Sequence, residues 1–177
     1  MDQAFSHQLV ALLPRLRRFA RGLARGSEEG DDLVQAACER ALARHDQFEP
    51  GTRLDSWMYR IVQNLWLDSR RRQKKEAIAL DPVDLAEHAT PVGANAAEDG
   101  LYLAQVREAI AQLPEEQCAV LMLVSVEGLA YKDAAEILDL PLGTVMSRLS
   151  RARVALGRAL ENRGVQGSEA AIIRIRR

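Results

Sequence analysis

A chain of 177 residues has room for one or two domains, and its formal charge of −1 gives no bulk attraction to a polyanion. Hydrophobic residues make up 47% of it and aromatics only 5%. No Val, Ile and Thr run alternates with period two, so sheet folds are excluded and an all-α fold is expected. No apolar run approaches a membrane span and the N-terminus lacks a signal-peptide layout, so a cytoplasmic protein without membrane insertion is expected.

Cys38 and Cys118 form no CxxC pair and sit in apolar helical patterns, as small buried hydrophobes do in a reducing compartment. His7, His45 and His88 are scattered without ligand spacing, so no metal and no cofactor are expected. The net charge conceals a segregation. Residues 9–75 carry 14 Lys/Arg against 9 Asp/Glu, residues 76–116 carry 1 against 9, and residues 117–177 carry 9 against 6. Two basic blocks around an acidic one suit polyanion binding at two places, although uneven surface charge is also common.

Taken in order, residues 3–25 place Leu9, Leu12, Leu13, Leu16, Phe19, Ala20 and Leu23 at helical spacing, with a break or start at Pro14. Residues 26–30 form a turn, and Asp31 or Asp32 caps a helix running to about residue 45. That helix buries Leu33, Val34, Ala37, Cys38, Ala41 and Leu42, leaving Gln35, Glu39, Arg40 and Arg44 outward. Residues 46–55 carry Pro50-Gly51 and form a loop. A helix over residues 56–75 begins aromatic (Trp57, Tyr59, Trp66) and ends in Arg70, Arg71, Arg72, Lys74 and Lys75. Aromatics among cations can stack on unpaired bases and hold phosphates, whereas tryptophans at helical spacing are more often core. Five cations in six residues exceed what a helix dipole calls for.

Residues 77–100 lack periodicity and hold Pro82, Pro91, Gly93 and several acids, as a flexible linker would, with one turn at 83–86. Residues 101–113 return to helical spacing. Pro114, Glu115 and Glu116 then open a helix that is apolar nearly all round to about residue 126 and so central to a second domain. Gly128 ends it. The tail after Arg163 is weakly structured and finishes in Arg174, Arg176 and Arg177.

Between these, residues 131–159 read as a short helix, a break at Asp139-Leu140-Pro141 and a longer helix from Leu142. Val145, Leu149, Ala152 and Leu156 make one buried stripe; Thr144, Ser147, Arg151 and Arg158 lie almost opposite, with Met146, Ser150 and Arg153 on the flanks. This is the layout of a helix-turn-helix, whose second helix enters a major groove. The plain alternative is an ordinary helix pair with a solvated basic face.

The segments DDLVQAACERAL, FEPGTRLDSWMYRIVQNLWLDSRRR, LPEEQCAVLMLVSVEGLAYKDAAEIL and LPLGTVMSRLSRARVAL, in this order, resemble bacterial extracytoplasmic-function sigma factors of the sigma-70 family. The resemblance covers about residues 9–75 and 101–160. It implies a non-enzymatic protein that binds core RNA polymerase and directs it to promoter DNA, with an anti-sigma factor as a further partner and no small-molecule substrate. It divides the chain into a polymerase- and −10-binding domain (1–76), an acidic linker (77–100), a −35-binding helix-turn-helix domain (101–163) and a basic tail (164–177). Asp32, Gln35 and Arg40 become candidates for the polymerase contact, although many relatives carry an acid where this chain has Ala36.

For the −10 element the resemblance singles out Phe48, Thr52 and Asn64 around an unstacked base, together with Arg53, Trp57 and Arg60. Arg60 and the run Arg70, Arg71, Arg72, Lys74 and Lys75 are expected on phosphates. For the −35 element, relatives often hold a basic residue where this chain has Met146. Base contact is then expected from Ser147, Ser150 and Arg151, and phosphate contact from Thr144, Arg148 and Arg153. Three other readings compete: a sigma-like decoy that sequesters an anti-sigma protein, a dimeric operator-binding regulator, and, remotely, an enzyme. The decoy needs no cations on the recognition helix, the regulator leaves residues 31–44 unexplained, and no nucleophile–base set appears for an enzyme.

Overall fold

The computed structural model describes residues 3–79 and 98–163. Among these are seven α-helices and no strand, and the chain divides into two units, Met1–Thr90 and Pro91–Arg177.

The first unit packs α1 (Gln3–Ala24) against α2 (Ser27–Ala43) and α3 (Leu54–Ala79), and α2 against α3. The buried stripe of α1 runs through Phe5, Leu9, Leu16, Phe19 and Leu23. The helix does not break at Pro14. The ring faces outward beside Val10, which is 63% exposed, so the lost backbone bond falls on the solvent side while apolar burial holds both halves in register.

α2 begins earlier than the expected aspartate cap, with Gly26 in the cap position and Glu28 and Glu29 in the first turn. Asp31 is drawn sideways instead, accepting from Arg21 Nε at 3.1 Å and Nη2 at 2.7 Å. The two helices cross closely there. A Cβ on Gly30 would stand 2.7 Å from the Arg21 Cα, so only glycine fits. Leu42, expected in the core, is 40% exposed because it lies about a quarter turn off the stripe of Leu33, Val34, Ala37 and Ala41.

α3 starts two residues before the expected helix and ends four after it, so it takes the first residues of the expected linker. Leu54, Met58, Tyr59, Val62 and Trp66 form its buried face, with Tyr59 edge-on to Phe19 at 5.2 Å. Tyr59 and Trp66 are thus core residues, as large aromatics at helical spacing usually are.

In the second unit α4 (Glu98–Ala111) and α5 (Glu115–Leu121) pack on α7 (Leu142–Glu161), as does α6 (Tyr131–Leu138). Pro114 precedes α5 as expected, but the helix continues past Leu121 as a π-helical turn, Met122–Val126. Val120, Leu121, Met122 and Leu123 are buried all round. Gly128 follows with φ 73°, a conformation that suits glycine as a helix stop. The turn expected at 83–86 and the basic tail lie outside the described residues. No helix among the described residues is long and apolar enough to cross a membrane.

Candidate nucleic-acid interface

The break between α6 and α7 is built by Asp139, which stands in the left-handed region at φ 53° and ψ 52°, followed by Leu140 and Pro141. The Pro141 carbonyl accepts the amides of Thr144 at 2.9 Å and Val145 at 3.2 Å, which starts α7 directly after the turn. Val145, Leu149, Ala152, Leu156 and Leu160 are buried to 1% exposure or less, as the apolar spacing requires.

The outward face carries Ser147, Ser150, Arg151 and Arg158, with Thr144 half-buried at its edge. Arg151 lies back along the helix, donating from Nε to the Ser147 carbonyl at 3.3 Å and from Nη2 to Ser147 Oγ at 3.4 Å. Ser147 Oγ in turn donates to the Thr144 carbonyl at 3.0 Å. These bonds hold a guanidinium and a hydroxyl side by side on one exposed strip.

Two expected contact residues are drawn inward. Arg148 Nη2 lies 2.7 Å from Glu116 Oε2 on α5, with only 21% of its side chain exposed. Arg153 reaches the π-helical turn, its Nη2 3.4 Å from Ser125 Oγ. Near the far end, Arg163 Nη1 donates to Glu108 on α4 at 2.6 Å. α7 is therefore braced by Glu116 and Ser125, and the turn just past its end by Glu108. None of these braces was legible in the sequence, because partners 28, 32 and 55 residues apart leave no periodic trace.

In the first unit, a 3-10 turn at His45–Gln47 leads into a tight turn in which Thr52 donates from both its amide and its hydroxyl to the Glu49 carbonyl, at 3.2 and 2.7 Å. Phe48 and Trp57 pack at 5.4 Å between ring centres, and Phe5 from α1 joins them at 5.7 and 6.3 Å. Beside this cluster opens a hollow of about 470 Å³, lined by Phe48, Thr52, His45 and Asp46 and, from α1, by Phe5 and Gln8. Sequence reasoning found Phe48 and Thr52 but missed the α1 wall. Asn64 does not line this hollow; it stands exposed farther along α3, on the same face as Trp57, Arg60 and Arg71.

Arg53 is clamped onto Asp55, donating from Nε at 3.1 Å and from Nη2 at 3.0 Å, and Arg15 approaches the same carboxylate at 3.7 Å. Partial burial opposes ionisation of Asp55. The Arg53 hydrogen bonds, the Ser56 amide and the charges of Arg53 and Arg15 together outweigh that burial and hold the carboxyl below its usual range. Asp55 thus fixes the end of the loop to the start of α3.

Past Trp66, every described side chain of α3 is exposed or half-buried. Arg70 stacks over the Trp66 ring at 5.5 Å and donates to Gln73, Arg71 lies 3.7 Å from Asp68, and Arg72, Lys74 and Lys75 are exposed. On α2, Asp32 and Gln35 share an exposed face with Glu39, which accepts from the Gln35 amide at 3.1 Å, while Arg40 is half-buried to one side. Burial pushes the Cys38 thiol up, leaving it a small hydrophobe of the same helix.

Comparison with known proteins matches the family described as "Sigma-70, region 4" over residues 103–156, and that described as "Sigma2 domain of PhyR" over residues 9–63. Over 160 residues the chain is 35% identical to the ECF RNA polymerase sigma factor EcfG of Rhodopseudomonas palustris (strain TIE-1), covering 90% of this chain and 87% of that protein. It is 36% identical to the ECF RNA polymerase sigma factor SigM of Mycobacterium tuberculosis (strain H37Rv), covering 82% of this chain and 71% of that one. The sigma factor RpoE, solved in complex with the anti-sigma factor NepR from Bartonella quintana, aligns with a TM-score of 0.78 at 30% identity, over 90% of this chain and 98% of its own.

Proposed function

The chain belongs to the extracytoplasmic-function sigma factors of the sigma-70 family, and on that footing we propose how its parts divide the recognition of a gene start. A member of this family is a non-enzymatic initiation factor: it binds core RNA polymerase and directs it to promoters through their −10 and −35 elements. In our reading, residues 101–163 hold the −35 element as duplex, with α7 in the major groove. Ser147, Ser150 and Arg151 face base edges, and Thr144, Arg148 and Arg153 face phosphates. Arg148 reaches a phosphate by exchanging Glu116 for it, one charge-assisted partner for another.

Residues 1–76 hold the −10 element as an opened strand. A base turned out of the stack enters the hollow beside Phe48 and Thr52, next to the ring of Trp57. Asn64 contacts the strand along α3, and Arg53, Arg60, Arg70, Arg71 and Arg72 take its phosphates. Asp32, Gln35 and Arg40 dock on polymerase. The residues between α3 and α4 tether the two parts, so that binding by one raises the effective concentration of the other, and residues 164–177 add a cationic tail. Opening is driven by binding energy, since strand separation costs a few kcal/mol per base, about what capture by stacking returns. The protein works in the cytoplasm beside polymerase and DNA, and an anti-sigma factor holds it there, as NepR is found on RpoE.

One observation carries this reading: Ser147, Ser150 and Arg151 stay outward on a helix whose flanking arginines are fastened to its neighbours. The experiment is transcription in vitro with purified core polymerase on a library of promoters. Transcripts enriched for two sequence blocks at a fixed spacing are expected. Output no higher than core polymerase alone would overturn the reading and leave a decoy that binds only an anti-sigma protein.

A further inference from the structure

Large apolar side chains stand open on or beside the recognition helix: Leu142 at 49% exposure, Met146 at 51%, Val154 at 52% and, on α6, Tyr131 at 37%. Their neighbours outward on α7 are short hydroxyls and arginines. Met146 is set apart by its place. It directly precedes Ser147, lies one turn before Ser150, and belongs to the N-terminal half of α7, the part of a recognition helix that meets base edges. Leu142, one turn earlier, extends the same apolar edge. Behind Met146 a shallow groove of about 470 Å³, lined also by Tyr131, Ser150 and Val154, leaves the side chain room to move.

A thioether donates no hydrogen bond and accepts only weakly, so Met146 cannot read the donor and acceptor pattern of a base pair. The major groove offers one apolar marker, the C5-methyl group of thymine. An unbranched, polarizable side chain adapts its shape to such a methyl better than a branched one. The edge is also continuous with the serine and arginine strip, so whatever base edges meet Ser147 and Ser150 bring a neighbouring base against Met146.

We propose that Met146, backed by Leu142, reads the C5-methyl group of a thymine in the −35 element. The inference rests on the −35 assignment of α7 and adds the chemical identity of one base. Where an arginine or lysine would select a guanine through its O6 and N7 acceptors, this chain selects a methyl.

The test uses holoenzyme assembled from the full chain and core polymerase, on a promoter taken from the library. Each thymine of the −35 element, on either strand, is exchanged singly for deoxyuridine, which removes the methyl and keeps the base pair. At one position the exchange weakens binding of the unaltered protein about fourfold, the effect of one methyl leaving an apolar contact. In Met146→Ala the same exchange has no effect, while Met146→Leu retains part of it. Because Met146 is exposed, the alanine variant folds, which its circular dichroism checks. The inference is overturned if no exchange weakens binding, or if one weakens the unaltered and Met146→Ala proteins equally. The second result would mean that the apolar edge serves a protein partner or nothing. Sequence-dependent binding that survives without any methyl effect sinks this inference alone; loss of all sequence dependence sinks the −35 reading with it.

Discussion

In the second unit the arginines of one helix divide between bracing and presentation, whereas in the first a run of cations stands on the stretch of α3 that follows Trp66, the last of its described residues to be buried. Arg148 and Arg153 fasten α7 to α5 and the π-helical turn, Arg163 just past its end reaches α4, and Arg151 and Arg158 stay outward. Arg70 instead stacks on Trp66 of α3 itself, Arg71 lies beside Asp68, and Arg72 stands exposed. The difference suits the division of labour proposed above. Reading a duplex needs a rigid convex element held to within a fraction of an ångström, so charge is spent on fixing it. Holding an opened strand needs a hollow beside aromatic rings and a row of cations that adapts to a flexible backbone.

Leu149→Ala tests whether the two parts stand independently. Leu149 is 1% exposed beneath the reading face, so its truncation costs about 2–5 kcal/mol. Two thermal transitions are expected in the full chain, of which only the one belonging to residues 91–177 moves; a joint shift would mean the units share a core. Arg151→Ala comes next, weakening promoter-specific binding by about 1–3 kcal/mol while binding to random DNA changes little. Equal loss on both would reduce Arg151 to a phosphate contact.

Arg71→Ala with Arg72→Ala tests the other end of the contrast. Loss of two phosphate contacts to an opened strand flattens the slope of log K against log salt by about 1.4. Promoter opening, followed by permanganate reactivity of unpaired thymines, falls with it. An unchanged slope would place that stretch of α3 away from DNA. Arg70 is left intact in this variant because its stacking on Trp66 mixes packing with charge.

The smallest effects concern the ion pairs. Glu116→Gln removes the charge that holds Arg148, and since the acid is 69% exposed the loss of stability stays below about 1 kcal/mol. Binding to promoter duplex rises slightly as Arg148 is released toward phosphate, and a marked fall would show that the brace is needed for α7 to be read at all. Asp55 gives a pH signature. Its carboxyl is held below the ordinary value, so its contribution to stability is present above the unfolded pKa of about 3.9 and is lost as pH falls through the folded one. Asp55→Asn therefore lowers stability at neutral pH and reduces its decline under acid, as urea titrations between neutral and acid pH would show.

What the sequence settles by itself is what depends on periodicity and on neighbours a few residues away. Val145, Leu149, Ala152 and Leu156 announce the buried stripe of α7. Pro141 and Gly128 announce the ends of helices, and the run from Arg70 to Lys75 announces a cationic surface. Each of these is set by local backbone sterics or helical spacing. The same locality explains the misses at helix ends. Aspartates 31 and 32 look like a cap, yet α2 already starts at Ser27 behind Gly26, and Asp31, inside the helix, accepts two hydrogen bonds from Arg21.

Tertiary structure decided everything that joins distant segments. The α1 wall of the hollow, the bracing of Arg148 and Arg153 and the close crossing at Gly30 all require residues that only packing brings together. Which arginines remain outward on α7 is the plainest case. Every one of them has the same chemistry in the sequence, and only the acids and hydroxyls on neighbouring helices sort those fastened to the fold from those left outward.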